Sequence, residues 1–193
     1  MAKKQIFRFK ISLDYIRPEI WRLIEIESDL TFCDFHIMIQ EAMRWTNSHL
    51  HMFMNGDFVI GDASEETCEY GDPPDWDEKK KKLHQFFSKP GDRISYVYDF
   101  GDNWEHTITL ESVEKKADGI KYPRCLDGAR ACPPEDCGSV PGYESLLEIL
   151  ADPKHEEFEE MKEWAGDYDS ERFDKDRATE AMQNPVDFSE MFS

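Results

Sequence analysis

Alternating apolar and polar residues over 94–111 predict a long antiparallel hairpin. The apolar positions before the central Gly-Asp-Asn break are Ile94, Tyr96, Tyr98 and Phe100, and those after it are Trp104, His106, Ile108 and Leu110. Period-two alternation on both sides of such a break is typical of two strands joined by a short loop. A three-residue loop pairs Phe100 with Trp104. The same register places Tyr98 opposite His106 and keeps the apolar side chains on one face, so we expect His106 to be buried.

The N-terminal part of the chain shows two more strands and one amphipathic helix. Alternation predicts strands over 7–13 and 20–27, antiparallel to each other. Thr31 and Asp34 have the spacing of a helix-capping box, which places a helix start at this point. The apolar residues that follow recur at helical spacing: Phe32, Phe35, Ile39 and Met43. We expect this helix to pack on the sheet.

The middle of the chain predicts a second hairpin and two irregular segments. Alternation over 49–54 leads into Asn55-Gly56, a strong two-residue turn signal, and then into a strand at 58–60. The acidic stretch 61–77 reads as a loop, and residues 78–87 as a short helix. Four prolines and three cysteines with little periodicity predict an irregular loop over 123–141.

The C-terminal part changes to helical spacing from Gly142 onwards. Two apolar stripes follow, the first at Tyr143, Leu146, Leu147 and Leu150 and the second at Phe158, Met161 and Trp164. The pattern as a whole predicts an α+β fold, with a mainly antiparallel sheet built from hairpins, one packed helix and a helical C-terminal region. We expect residues 1–140 to form the sheet domain and residues 142–193 an acidic helical appendage packed on the same domain.

Charge and cysteine content narrow the possible partners. The chain has 42 acidic and 23 basic residues, a formal net charge of −19, which argues against direct binding to nucleic-acid phosphates or anionic lipids. We expect no signal peptide, and the given sequence shows no apolar stretch long enough to span a membrane. Five cysteines, an odd number in a chain expected to lack a leader, favour reduced thiols in the cytoplasm.

Five sequence strings resemble one family of proteins. They are Pro18-Glu19-Ile20-Trp21-Arg22, Ile39-Gln40-Glu41-Ala42-Met43, His49-Leu50-His51, Tyr98-Asp99-Phe100-Gly101-Asp102-Asn103-Trp104-Glu105-His106 and Cys132-Pro133-Pro134-Glu135-Asp136-Cys137-Gly138. Together, in this order, they resemble the plasmid pRiA4b ORF-3-like proteins over residues 6–173. The resemblance implies an α+β domain of unassigned biochemistry whose relatives occur as passengers of insertion elements. Some relatives carry the label of resolvase, but this acidic chain lacks the clustered arginines and the basic recognition helix that a serine recombinase needs.

Histidines and acids supply the first candidate chemistry. His49 and His51 flank one residue on a predicted strand, so both point to one side, an arrangement suited to zinc or iron. His106, or an acid from the hairpin tip at Asp99 or Asp102, would complete the ligand set. Packing and cross-strand hydrogen bonding are the alternative roles for the two histidines. The same residues, with Tyr98 and Trp104 beside them, form the candidate ligand-binding set.

Three cysteines supply the second candidate chemistry, a zinc site. Cys125, Cys132 and Cys137 lie in the proline-rich loop with C-x6-C-x4-C spacing, where a zinc ion would order a segment that has few hydrogen bonds of its own. This spacing matches no standard zinc knuckle and lacks a C-x2-C pair. Small buried thiols that pack the loop onto the sheet are one alternative, and a redox pair is another.

Two function classes follow from these observations. The first is a binding module, associated with mobile elements, that recognises a protein or a small ligand. Its support is the lack of a complete catalytic set and the negative surface, which favours a basic partner. The second is a metal-dependent, hydrolase-like enzyme that uses His49, His51 and His106 with Asp99 and Asp102.

Overall fold

Eight strands form one sheet in the part of the chain that the computed structural model describes, residues 5–64 and 73–186. The strands are β1 (Gln5–Leu13), β2 (Ile20–Glu27), β3 (His51–Met54), β4 (Val59–Gly61), β5 (Trp76–Asp77), β6 (Arg93–Tyr98), β7 (Trp104–Lys115) and β8 (Arg124–Ala129). Their order across the sheet is β5-β4-β3-β6-β7-β1-β2-β8. Every pairing is antiparallel except that of β4 with β5.

Four α-helices accompany this sheet within the described ranges. They are α1 (Phe32–Met43), α2 (Ser139–Ala151), α3 (Phe158–Ala165) and α4 (Lys175–Gln183). The predicted α+β class, with a mainly antiparallel sheet, is therefore confirmed. The alternation did not predict α4, which packs against both β8 and α1. The proposed division of the chain near residue 140 remains a prediction.

The first helix begins where the capping box placed it. The Thr31 hydroxyl accepts the Asp34 N–H at 3.1 Å, and the Asp34 carboxylate accepts the Thr31 N–H at 2.8 Å. Two N–H groups that would otherwise lack a partner at the helix start are satisfied in this way. The helix ends at Arg44, whose φ of 72° turns the chain away towards residues 45–50.

The core lies between α1 and the sheet and consists largely of aromatic rings. Phe35 packs on Phe9 of β1 with ring centroids 4.9 Å apart, and Phe32 packs on Phe53 of β3 at 5.0 Å. All four rings are fully buried. Rings of this size bury large apolar areas, so this contact fixes the helix on the sheet.

The central hairpin is present, but its predicted register is wrong by two residues. Tyr98 faces Trp104 and Tyr96 faces His106, so the loop has five residues, 99–103. Pairing stops at Tyr98 because the next residue, Asp99, has a φ of 58° and donates its N–H to the Leu50 carbonyl at 2.9 Å. An even shift preserves side-chain parity, and His106 is therefore buried as predicted.

The prediction of an irregular loop over 123–141 is wrong for residues 124–129, which form β8. This strand pairs with the free edge of β2, and charge pairing stabilises the contact. The buried Glu25 carboxylate accepts hydrogen bonds from Arg124 and from Arg8, both at 2.7 Å. Charge-assisted bonds of this kind are about twice as strong as neutral ones, which compensates for a sequence of low strand propensity.

Two smaller predictions differ in detail from the structure. The second hairpin is present, but Met54 pairs with Val59, so its loop has four residues and not two. The helix predicted over 78–87 is a single 3-10 turn, Leu83–Gln85. Within the predicted loop 61–77, β5 occupies the last two positions, and residues 65–72 lie outside the described part of the chain.

The capping box generates a stability prediction. Thr31→Ala removes the side-chain acceptor of the Asp34 N–H, so the free energy of unfolding should fall by about 1 kcal/mol. Urea unfolding followed by circular dichroism measures this change. Thr31→Ser keeps the hydroxyl and is the matched control, expected to remain near the wild-type value. Equal losses in the two variants would show that the methyl group, and not the cap, is responsible.

Candidate metal centre

Three loops meet at the end of β6, and the Tyr98 side chain joins them. The Tyr98 hydroxyl accepts the Ser48 N–H at 3.1 Å and donates to Glu135 Oε1 at 3.1 Å. The Tyr98 ring stacks on Trp45 with centroids 4.9 Å apart, and the Trp45 indole N–H donates to the Pro133 carbonyl at 3.0 Å. The segment after α1, the tip of the hairpin and the loop after β8 are thereby held against one another.

One imidazole and three carboxylates converge where these loops meet. His49 Nε2 lies 3.2 Å from Asp136 Oδ1, 3.6 Å from Asp99 Oδ2 and 3.8 Å from Glu135 Oε2. The ligand atoms of His49, Asp99 and Asp136 all lie within 4.8 Å of one another. Atoms bound to one metal at about 2.1 Å are about 3.0–3.4 Å apart in octahedral or tetrahedral geometry. The observed spacing is therefore close to that of a ligand set.

Two of these atoms are buried without a hydrogen bond. Within the described residues, neither His49 Nε2 nor Glu135 Oε2 has a hydrogen-bond partner. Buried polar atoms are nearly always paired in folded proteins, and an unpaired one costs about 1–3 kcal/mol. Two such atoms facing each other at 3.8 Å point to a polar or charged group held between them.

Neighbouring groups aim two of the carboxylates at this point. Asp99 Oδ1 accepts the Gly101 N–H at 2.9 Å, which leaves Oδ2 facing His49. Glu135 Oε1 accepts from the Thr46 N–H at 2.8 Å, besides the Tyr98 hydroxyl, and leaves Oε2 facing His49. Hydrogen bonds to the far oxygen of a ligating carboxylate are the usual outer support of a metal site.

Exposure differs among the acids of the cluster. The Asp99 side chain is 8% exposed, whereas that of Asp136 is 73% exposed. Three carboxylates close together repel one another when all are ionised, and this repulsion is stronger where burial excludes water. A cation bound between them would remove the repulsion, and it could exchange ligands with solvent on the side of Asp136.

The structure separates the other predicted histidine from this cluster. His51 Nε2 lies 2.7 Å from Glu78 Oε2, and its ring stacks on His36 with centroids 3.4 Å apart. The two histidines of the His-x-His pair thus have different partners. His49 precedes β3 and belongs to the loop, while His51 lies within the strand.

The remaining hairpin residues of the candidate set have structural contacts. His106 and Trp104 are fully buried, and the His106 ring packs edge-on against Trp45 with centroids 5.3 Å apart. Burial lowers the pKa of His106 to about 4, so the imidazole is neutral at pH 7. Asp102 Oδ2 accepts the Gly138 N–H at 3.1 Å and so positions the loop that carries Asp136.

The three cysteines do not gather around a common point. Within the described residues, the group of three metal-ligating side chains contains no thiol. Cys132 Sγ lies 3.1 Å from Met43 Sδ, and the Cys125 thiol donates to the Asp127 carbonyl at 3.3 Å. Burial raises the pKa of Cys125 to about 11 and that of Cys137 to about 12, so these thiols stay protonated at pH 7. This arrangement gives no support to a zinc tether.

Sequence reasoning missed Glu135 and Asp136 as members of the cluster. They lie in a segment without periodicity, and only the resemblance to known proteins drew attention to their string. Nothing in their spacing connects them with His49, which is 86 and 87 positions earlier in the chain. The single available signal was two adjacent acids between cysteines in a proline-rich loop.

The fold and the site define an α+β protein with a histidine–carboxylate cluster beside a mainly antiparallel sheet. The chain belongs to the family of plasmid pRiA4b ORF-3-like proteins, whose model matches residues 5–177. The expectation from the sequence strings is thereby confirmed. Within the described residues, none of the helices combines the length and the apolar character needed to cross a membrane.

Two known proteins are similar to the chain over most of its length. The uncharacterized protein y4hQ of Sinorhizobium fredii (strain NBRC 101917 / NGR234) is 39% identical over 168 residues, which are 86% of this chain and 84% of that protein. The crystal structure of MM3350 from Methanosarcina mazei Go1, a protein of unknown function, has a TM-score of 0.79 and 37% identity. The matched region covers 91% of this chain and 98% of the MM3350 chain.

Buried histidines generate a prediction about pH. Burial lowers the pKa of His106 to about 4 and that of His36 well below 6.5, so the folded chain binds fewer protons than the unfolded chain. This contribution to stability is complete above pH 6.5 and is lost as the pH falls towards 4. Between pH 6 and 5, the free energy of unfolding should fall by about 1.4 kcal/mol per pH unit for each histidine.

Urea unfolding at a series of pH values measures this slope. His106→Leu should reduce the slope by the contribution of one histidine, about 1.4 kcal/mol per pH unit, whatever its effect on absolute stability. Ile108→Val changes a buried residue of the same strand that carries no titratable group and is the control, with the wild-type slope expected. An unchanged slope in His106→Leu would contradict a neutral, buried imidazole at this position.

Proposed function

We propose that the protein binds a divalent transition-metal cation through His49, Asp99 and Asp136, and that it uses the cation for hydrolysis. The observation that supports this most strongly is the pair of buried, unpaired atoms, His49 Nε2 and Glu135 Oε2, that face each other across the cluster. One imidazole nitrogen with carboxylate oxygens suits Zn²⁺, Fe²⁺ or Mn²⁺. Three protein ligands leave at least one position for water, as in catalytic sites.

The residues of the centre divide into ligands and a base. Of the three carboxylate oxygens that face His49 Nε2, Glu135 Oε2 is the farthest, at 3.8 Å, and it would serve as the base that accepts a proton from the attacking water. A divalent cation held by the three ligands would activate that water and would stabilise charge on a carbonyl or phosphoryl oxygen. Glu135 would then return the proton to the leaving group.

A protonated His49 is the alternative that this proposal must exclude. An imidazolium would neutralise part of the carboxylate charge, and its Nε2–H would point at Asp136 Oδ1, 3.2 Å away. That arrangement is a weak, partly exposed ion pair of little stabilising value. Measuring the metal content decides between a bound cation and a protonated His49.

A binding module for a basic protein is the second candidate function. Beyond Ala151 the chain has fourteen acidic and five basic residues, and no residue of α3 is buried, so this helix presents a negative surface to a partner. A surface of one sign steers association with an oppositely charged partner. A role beside the gene products of mobile elements belongs to this candidate and rests on the family resemblance alone.

The first experiment measures metal content. Protein purified without a histidine tag should contain about one equivalent of zinc, iron or manganese by inductively coupled plasma mass spectrometry. His49→Ala, Asp99→Asn and Asp136→Asn each remove one ligand, and metal affinity should fall by at least about 10–100-fold. His155→Ala and Asp118→Asn alter exposed residues outside the cluster and should retain the metal.

A metal-free protein that takes up none of the three cations on titration would contradict the proposal. Retention of full affinity in all three ligand variants would contradict the assigned site. Metal binding by the controls and loss in the variants would instead support it.

Hydrolysis is tested separately from binding. Glu135→Gln keeps the Oε1 acceptor for Thr46 and Tyr98 but removes the base, so the variant should bind metal normally. Its kcat on chromogenic p-nitrophenyl esters or phosphates should fall by about 10²–10⁴-fold. Metal-loaded wild-type protein with no activity on either class would favour a binding role for the same centre.

A further inference from the structure

A second candidate site is a cavity of about 380 Å³ that Trp45 helps to line. It lies where β2, the end of α1, the loop after β8 and the segment 167–178 come together. Its volume is within the range of small-molecule sites, which is about 300–1,000 Å³. Arg22 lines this cavity from within the fold, and three further arginines line it at the surface.

Arg22 is a buried cation without a neutralising acid. Its side chain is fully hydrogen-bonded on one side, with Nε donating to the Ala42 carbonyl at 2.9 Å and Nη1 to the Trp21 and Ala129 carbonyls at 2.8 and 2.9 Å. The residue is 2% exposed. Within the described residues, no carboxylate oxygen lies within 4.0 Å of its guanidinium.

The Nη2 group of Arg22 has only a weak hydrogen-bond acceptor. Its acceptor among the described residues is Cys132 Sγ at 3.5 Å, a thiol whose pKa is raised by burial and which is therefore neutral at pH 7. An arginine cannot lose its proton in a protein, so the charge is permanent. Because buried charges in folded proteins are normally paired, this one points to an anion supplied from outside the chain.

The arginines at the rim are exposed, and none of them forms a close ion pair with the described residues. Arg44, Arg172 and Arg177 line the same cavity, and their side chains form no hydrogen bond or ion pair with the described residues. Two acids that line the cavity, Asp169 and Asp174, accept backbone N–H groups of their own segment at 3.0 Å. Asp174 also attracts Arg172 and Arg177 at longer range, without a hydrogen bond to either. The cavity therefore offers unused donors to a ligand.

Acidic residues also line the cavity, but they do not outnumber the arginines. Glu135 uses Oε1 for Thr46 and Tyr98, and Asp167 is exposed at the surface. Four arginines and four acids thus line the cavity, in a chain whose formal net charge is −19. This region is consequently far less negative than the chain as a whole, and its buried charge is positive.

The walls of the cavity are aromatic. Trp45, Tyr168 and Phe173 line it, and the Arg22 guanidinium lies 4.2 Å from the centroid of the Phe173 ring. Phe173 can pack closely against β8 because Gly128 has no side chain; a Cβ there would be 2.7 Å from the ring. Flat rings beside a guanidinium suit a ligand that has both a planar apolar part and a negative group.

We propose that this cavity binds a small organic anion, a carboxylate or a phosphate monoester that carries a planar ring. Its negative group lies between Arg22 Nη2 and the rim arginines, and its ring lies against Trp45 and Tyr168. This site is separate from the metal centre and does not require it, although Glu135 contributes to both.

Calorimetric titration of the full chain with four small probes tests this site. Phenyl phosphate and benzoate carry the negative group, whereas phenol and benzamide are neutral analogues. The anions should bind at least about tenfold more tightly, because only they neutralise the buried guanidinium. The preference should persist in the presence of EDTA, since no metal takes part. Failure of the metal proposal would therefore leave this result unchanged.

The double variant Arg172→Gln with Arg177→Gln tests the site while leaving the buried arginine in place. Benzoate affinity should fall by about tenfold or more, and Arg93→Gln, an exposed arginine outside the cavity, should bind as the wild type does. Arg22→Gln should abolish the preference for anions if circular dichroism shows that it folds. Equal binding of benzoate and benzamide, affinity unchanged in the double variant, or no anion binding below about 10 mM would each overturn the proposal.

Discussion

The hydroxyl of Tyr98 is the contact on which the candidate metal centre depends. It accepts a hydrogen bond from the Ser48 N–H and donates one to Glu135, while its ring stacks on Trp45. Burial raises the pKa of Tyr98, so the hydroxyl keeps its proton and continues to donate. Three segments that are remote in sequence are held together in this way, and each of them supplies one or two members of the cluster.

The parity of the strands could be predicted from the sequence, but their register could not. Alternation correctly placed His106 on the buried face, because a shift of two residues leaves every side chain on the same side of the sheet. The loop length depended on the contact of Asp99 with Leu50, which belongs to a different segment. Strand β8 escaped prediction for a similar reason, since Arg124 reaches Glu25 only in the folded chain.

The candidate site was predicted in part. His49 and Asp99 stood out as ligand types, and the structure brings these two together. Their partners, Glu135 and Asp136, come from a loop whose path is decided by Asp102 and Tyr98 and by no local pattern. His51 was grouped with His49 on the assumption of one continuous strand, whereas β3 begins only at His51. Spacing along a chain identifies ligands only where both lie on the same regular element.

The loop after β8 connects the two proposed sites. Cys132 lies beside the Nη2 group of Arg22, and Glu135 and Asp136 face His49 a few residues further on. Glu135 also lines the cavity next to Trp45. An anion in the cavity and a cation in the centre would therefore both lie beside one short segment, and each would compensate charge of the fold.

Anomalous diffraction locates a cation bound among His49, Asp99 and Asp136. Crystals grown with Mn²⁺ should give a peak in the anomalous difference map about 2.0–2.3 Å from His49 Nε2 and from oxygens of Asp99 and Asp136. We expect this peak in the wild type and its loss in Asp99→Asn. A map without density among these side chains, with His49 Nε2 donating a hydrogen bond directly to a carboxylate, would show that no cation is bound there.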